Sequence, residues 1–392
     1  LVDLKHEVIV RVCYFGTYRA NYSRNKIMIA ALRSAGVEVI ECHQPLWHGI
    51  EDRVQAVQGK WLSLSFWLRV LRTYGRLLIH YRKLGSSDVL MVGYPGQIDV
   101  FLARILAWFR GIPLVWDVFM STYLIAAERG LDERSPFTVK LLGWVEGAAL
   151  HLPDLLIQDT AQYVDWFHKT YRIPAGRFQL IPTGADNRVF HPVETKISEK
   201  DAGAFDVIYY GTFIPNHGIL SIIEAARLLR RENAFRFHLI GDGPDREKAQ
   251  RLAKKYELDN VTFLAWLEQS ELVNQVAKAD VCLGAFGSTP QSMMTVQNKV
   301  YEGLAMRKPI VTGDSPAVQE NFTHGTHVYL VARENPQAIA EALRTLKNNP
   351  ALCKAMSQAG YQLFQSKFNL EAIGKKARSH LESVMYSKAS DR

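Results

Sequence analysis

The sequence predicts an α/β protein built of two doubly wound, Rossmann-like domains facing a central cleft. Three observations carry this expectation. Short apolar runs of strand length alternate with amphipathic helical patterns along the chain, the rhythm of parallel sheets covered on both faces by helices. That rhythm runs through twice, with a polar, aperiodic stretch at 193–204 between the two series. The length of 392 residues suits two domains of ordinary size.

In the first series, residues 7–15 read as a strand and 22–35 as its helix. Further strands are expected at 37–42, 88–93, 113–119 and 154–159, with Gly36, Gly85 and Gly111 punctuating ahead of three of them. The second series opens with a strand at 207–211 and a helix at 219–231, whose Ile219, Ile222, Ile223, Ala226 and Leu229 share one face. Strands follow at 235–241, 261–264, 279–285, 308–313 and 327–331, and the last helical pattern covers 370–386. The expected domains are 1–192 and 193–369. Open parallel sheets bind ligands beyond the carboxyl ends of their strands, so two such sheets can hold two substrates.

Composition excludes several classes. Hydrophobic residues make up 48%, as in globular proteins with sizeable cores. No stretch approaches the roughly 20 apolar residues of a membrane span. The charged start Leu1-Val2-Asp3-Leu4-Lys5-His6-Glu7 shows no secretory signal, and a cytoplasmic protein is expected. Cys13, Cys42, Cys282 and Cys353 are far apart in sequence and read as free thiols rather than zinc ligands. The net charge of +8 suits a phosphate-bearing substrate, an anionic membrane or nucleic acid.

Several loops at strand ends carry candidate chemistry. Gly211-Thr212-Phe213-Ile214-Pro215-Asn216-His217-Gly218 joins a strand to a helix and can offer backbone N–H groups to a phosphate, or be a tight turn. Gly241-Asp242-Gly243-Pro244 ends the next strand. The helix after the loop 288–295 places Asn298 and Glu302 four apart on one face, with Lys299 in reach of a phosphate and Glu302 suited to ribose hydroxyls. In the first half, Gly16-Thr17-Tyr18-Arg19 and Arg24 follow a strand and suit a negatively charged partner, while Ser23 or Asn21 can cap the next helix. Gly93-Tyr94-Pro95-Gly96-Gln97 can line a second-substrate pocket. Asp117, with Ser121 and Tyr123 beyond it, can orient a substrate or hold a loop.

These motifs, together with Phe237 to Gly243, Val261 to Trp266, Ala279-Asp280-Val281 and Lys308-Pro309-Ile310-Val311, resemble the donor domain of the family 4 glycosyltransferases of the GT-B fold. Order and spacing agree across residues 206–330, and more loosely at Ile181-Pro182-Thr183-Gly184-Ala185-Asp186, Phe190 and Pro192. The resemblance implies a retaining, sugar-nucleotide-dependent transferase with an N-terminal acceptor domain and a C-terminal donor domain. It implies that residues 370–392 return to the first domain. It implies a donor site of Gly16, Thr17, Gly211, Thr212, His217, Gly241, Trp266, Met294, Asn298, Lys299 and Glu302, with Lys299 and Asp117 as catalytic candidates and Arg24, Tyr94 and Ser121 toward the acceptor. The chain departs from the family at Met294, where a first glutamate is common, at Thr212 and His217 in place of Arg and Lys, and at Phe119 in place of His.

The expected reaction moves a hexose from a UDP- or GDP-sugar to the hydroxyl of a carbohydrate or lipid-linked acceptor. It needs no metal and no cofactor. A sugar-nucleotide epimerase of the same fold, and a catalytically silent nucleotide-sugar-binding protein, are the rival readings. Between Arg53 and Ser87 there is no Asp or Glu, and Arg69, Arg72, Arg76, His80 and Lys83 share one helical face. This basic 60–83 region suits an anionic membrane surface, or is a core-packed helix with a solvated basic face. No nucleic-acid motif accompanies it, and none is expected as a partner.

Overall fold

A computed structural model describes residues 9–46, 63–193, 203–232 and 234–390. The chain divides into two units, Leu1–Thr183 with Leu370–Arg392, and Gly184–Asn369. The expected linker began at 193, and most of it, 194–202, lies outside the described residues. The second unit starts earlier than expected because Ala185 and Phe190 are already buried in its core.

In the first unit β1 (Arg11–Gly16), α1 (Ser23–Ser34) and β2 (Glu38–His43) come first. Then follow α2 (Leu64–Lys83), β3 (Val89–Val92), α3 (Asp99–Arg110) and β4 (Leu114–Asp117). Helices α4 (Thr122–Glu128), α5 (Leu131–Arg134) and α6 (Pro136–Leu150) lead to β5 (Leu155–Gln158), α7 (Ala161–Tyr171) and β6 (Phe178–Leu180). The strands form one sheet in the order β2-β1-β3-β4-β5-β6, and every pair is parallel. The short β6 escaped the periodicity reading, because three residues hold too little alternation to register.

The second unit opens with β7 (Phe205–Tyr210), α8 (Ile219–Leu229), β8 (Phe235–Ile240), α9 (Arg246–Lys255) and β9 (Val261–Leu264). It continues with α10 (Gln269–Lys278), β10 (Val281–Leu283), α11 (Pro290–Met294) and α12 (Asn298–Ala305). Then come β11 (Ile310–Gly313), α13 (Pro316–Asn321), β12 (Tyr329–Val331), α14 (Pro336–Asn348) and α15 (Pro350–Lys367). Its parallel sheet runs β12-β11-β10-β7-β8-β9. Period-two alternation puts Val207 and Tyr209 in one core and Ile208 and Tyr210 in the other, so both faces of β7 are covered.

The last helix, α16 (Leu370–Ser390), belongs to the first unit and lies on α1. A Cβ at Gly374 would fall on the Ala31 carbonyl, so the two backbones meet closely there. Ser34 Oγ donates to Leu370 O at 3.1 Å and Arg378 to Ala35 O at 3.0 Å.

Candidate functional site

Strand order reverses between β7 and β10 in the second unit, and that switch point is where an open parallel sheet forms a ligand crevice. Gly211 ends β7 there with φ of +136°, a conformation that side chains other than glycine's resist. A Cβ at this position would sit 3.1 Å from the Lys299 Nζ. The Gly211 amide donates to Ile240 O at 3.0 Å, so it is not free for the expected phosphate contact, whereas the Thr212 amide has no partner among the described residues.

His217 folds back over this loop. Its Nδ1 lies 2.6 Å from the Thr212 carbonyl, which only accepts, so Nδ1 carries the hydrogen. The Tyr209 hydroxyl donates to the same carbonyl at 3.0 Å. Lys299 Nζ stands 3.4 Å from Nδ1 and 4.2 Å from the centroid of the Tyr209 ring. Two donor groups therefore face each other. Burial, and then the Lys299 ammonium, push His217 well below the usual histidine range. Burial also lowers Lys299 to about 7, with Glu302 opposing.

Helix α12 carries Lys299, whose side chain reaches this loop, in its first turn. Its N-cap residue, Gln297, gives no side-chain cap, and the amides of Asn298 and Lys299 have no partner among the described residues. An uncapped helix start with free amides and a positive dipole end is a natural anion seat. One turn along, burial raises Glu302 to about 7, opposed by a hydrogen bond from Tyr210 and by Lys299. Glu302 and Asn298 are both partly exposed, as ligand contacts require.

The surrounding loops meet backbone to backbone. A Cβ at Gly241 would fall on the Gly211 carbonyl, and one at Gly287 on the Pro215 carbonyl. Phe213 N donates to Asp242 O at 2.8 Å and Phe286 N to His217 O at 3.0 Å. Gly241 thus supports the Gly211 loop. Arg246, which the sequence reading did not single out, donates to the carbonyls of Gly241 and Leu264 and so ties the ends of β8 and β9 together. Arg333 does the same for Asp314, Gly287 and Gly313. Beyond β9, Trp266 is 57% exposed, a free aromatic face. Met294 ends α11, partly buried.

The first-unit candidates take on other partners. Thr17 was expected to face a phosphate, but its amide donates to Asp99 at 2.7 Å and its hydroxyl lies 3.1 Å from both Asp99 oxygens. Gly16 at φ +132° leaves room for that carboxylate, since a Cβ would lie 2.5 Å from Asp99 Oδ2. Tyr74 donates to Asp99 at 2.6 Å, and burial pushes Asp99 up to about 6. An anion already belonging to the chain fills the cradle.

Arg24 and Asp117 were expected at the acceptor and in catalysis; they bind each other. Arg24 Nε and Nη2 donate to Asp117 at 2.8 and 2.9 Å, Nη1 donates to Ile181 O at 2.9 Å, and both side chains are fully buried. Tyr94 is buried too. Asn25 accepts from its amide at 2.9 Å and donates to its carbonyl at 2.6 Å. The Tyr94 ring packs at 5.3 Å from Phe119, which has φ of +59° just after β4. Ser121 caps α4 through Leu124 N at 3.0 Å and donates to Glu146 at 2.5 Å. Glu146 also accepts from Thr122, Tyr171 and Gln97. Asp99 and Glu146 each left one signal in sequence, a lone carboxylate in an apolar helix. Among the described residues, no three His, Cys, Asp or Glu side chains converge as a metal site.

Residues 192–363 match the family described as "Glycosyl transferases group 1". The chain is 26% identical over 331 residues to an alpha-D-kanosaminyltransferase of Streptomyces kanamyceticus, covering 81% of each. It superposes on the sucrose-phosphate synthase of Thermosynechococcus elongatus with a TM-score of 0.73, at 16% identity, over 96% of this chain and 100% of that one. It superposes on HepE from Anabaena, solved with UDP-glucose, with a TM-score of 0.67, at 15% identity, over 95% and 99%. Residues 192–363 are thus similar to the group 1 glycosyltransferases, and the chain has the GT-B fold expected from its motifs.

Proposed function

From a chain whose residues 192–363 match the group 1 glycosyltransferases, we propose transfer of a hexose from a UDP- or GDP-sugar to a hydroxyl acceptor, with retained configuration. The observation that carries this reading is the Lys299–His217 pair beside Gly211, two desolvated bases on segments whose Thr212, Asn298 and Lys299 amides have no partner among the described residues. A diphosphate suits it. The UDP-glucose in the HepE structure supports a nucleotide sugar as its bearer.

In the proposed step the acceptor oxygen bonds to the anomeric carbon and the bond from that carbon to the β-phosphate oxygen breaks. The acceptor proton passes to a phosphate oxygen on the same face, and the nucleoside diphosphate leaves. The chain must then stabilise charge growing on the phosphates. Lys299 and the start of α12 do so, and His217 adds a second cation once a phosphate lets its Nε2 take a proton. Glu302 accepts from the ribose hydroxyls, and Trp266 offers a face to the base.

The test is to incubate the protein with UDP- and GDP-hexoses and hydroxyl acceptors, following free nucleotide and the anomeric configuration of the product by NMR. Nucleotide release with a retained product supports the reading. Inverted product sinks retention. Isomerised donor without release would point to the epimerase, and binding with neither to a silent nucleotide-sugar-binding protein.

A further inference from the structure

Helices α2, α3 and α6 lie side by side on one face of the first sheet. The connections β2 to β3, β3 to β4 and β4 to β5 step in one direction across it, and right-handed crossovers then put their helices on one side. Contacts fix the neighbours. Tyr74 of α2 reaches Asp99 at the start of α3, and Arg110 at the end of α3 stacks on Tyr81 of α2 at 4.3 Å. Gln97, just before α3, donates to Glu146 of α6, and Arg104 to Leu152 just beyond α6.

The outward faces of these three helices are apolar and aromatic. Leu71 on α2 is 67% exposed, Trp108 and Phe109 on α3 are 69% and 74%, and Phe137 and Trp144 on α6 are 70% and 71%. From the cap of α3 onward, Ile98, Phe101, Ile105 and Trp108 recur at helical spacing and are all exposed, an unpartnered stripe. The charge beside this stripe has one sign. The three helices hold two carboxylates, Asp99 and Glu146, and both are buried. Exposed cations are Arg69, Arg72, Arg76, Arg82 and Lys83 on α2 and Lys140 on α6. Among the described residues none of them forms an ion pair. Arg69, Arg72 and Arg76 line a groove of 410 Å³ with Ser65, Leu68 and Thr73. Asp132 and Glu133, both exposed, belong to the short α5 that precedes α6.

We infer that the α2–α3–α6 layer of the first unit docks on an anionic lipid bilayer. Exposed Trp and Phe settle at the headgroup boundary, and cations without carboxylate partners are drawn to acidic headgroups. Charge complementarity selects this occupant over a second copy of the chain, because two such faces would oppose like charges. Among the described residues no helix is long and apolar enough to cross a membrane, so the contact is one of surface adsorption. The inference is independent of the donor-site reading, which concerns the other unit.

The test is sedimentation of the full chain with vesicles of phosphatidylcholine alone and with phosphatidylglycerol added, at low and high salt. Binding is expected only to the anionic vesicles and only at low salt. Replacing Arg69, Arg72 and Arg76 together by Gln should lower partition about 100-fold. Trp108→Ser with Trp144→Ser should lower it about tenfold or more. Unchanged circular dichroism and nucleotide affinity show that the variants fold. Equal binding to neutral vesicles, or none to anionic ones, overturns the inference. So does a dimer in analytical ultracentrifugation that the tryptophan variant dissolves, since the face would then join two copies.

Discussion

The ammonium of Lys299 stands 3.4 Å from Nδ1 of His217, and among the described residues no carboxylate is hydrogen-bonded to either. Lys299 is buried, so its positive charge is poorly hydrated. A phosphate placed there gains a charge-assisted contact that water does not compete for.

Lys299→Met should therefore weaken binding of UDP or GDP about 10- to 150-fold, the range for a lost hydrogen bond to a charged group. The unliganded variant should melt no lower than the parent, because the substitution removes a desolvated cation. Calorimetric titration and thermal unfolding check both. Unchanged affinity would remove Lys299 from the site.

Binding should also be pH-dependent. Lys299 titrates near 7 in the free protein, and a bound diphosphate raises that value. Below pH 7 the lysine is charged in both states, so affinity is at its fullest from this group. Above pH 7 binding must take up a proton, and affinity falls by up to about tenfold per pH unit. Glu302 ionises over the same range and holds charge on Lys299, so Glu302→Gln should steepen the fall. Titration calorimetry at pH 8 in buffers of different ionisation enthalpy reads the uptake directly; Lys299→Met should diminish it.

Asp117→Asn should destabilise the first unit by about 3–5 kcal/mol, because it leaves the buried Arg24 guanidinium without its counter-charge. The double variant Arg24→Met with Asp117→Leu should lose much less than the sum of the single changes. Urea unfolding across the double-mutant cycle decides it. A large loss of turnover with unchanged stability would return Asp117 to a catalytic role.

Asp99 ties stability to pH with the opposite sign from a surface salt bridge. Burial raises it from 3.8 to about 6, so its contribution is full below pH 4 and is lost as pH rises through 6. That loss amounts to about 3 kcal/mol. Asp99→Asn keeps an acceptor for the Thr17 amide and should flatten this part of the stability profile. Denaturant midpoints measured between pH 4 and pH 7 test it, and an unaltered profile would show that Asp99 does not titrate there.

The legible part of the site is the part made by near neighbours in sequence. Lys299 and Glu302 are one helical turn apart, and Gly211 to His217 is a single strand-to-helix loop, so local spacing was enough to group each set. The first-unit candidates were found at strand ends but given ligand roles. Arg24 and Asp117 lie 93 residues apart, and Thr17 and Asp99 lie 82 apart, so no periodicity links them. Arg246 and Arg333 were passed over because solvated arginines at helix starts and strand ends look the same in sequence as arginines that clamp carbonyls.

Alternating apolar runs and glycine-marked strand ends were sufficient to establish a pair of parallel α/β units and the helix that carries Lys299 and Glu302, because period and turn chemistry are local properties of the chain. Which polar groups remain free for a ligand was decided by the folded state alone. Every buried donor and acceptor seeks a partner, and the partner comes from whichever segment packing brings near. Packing gave Thr17 to Asp99, Arg24 to Asp117 and Ser121 to Glu146, and it left Thr212, the start of α12 and Lys299 open.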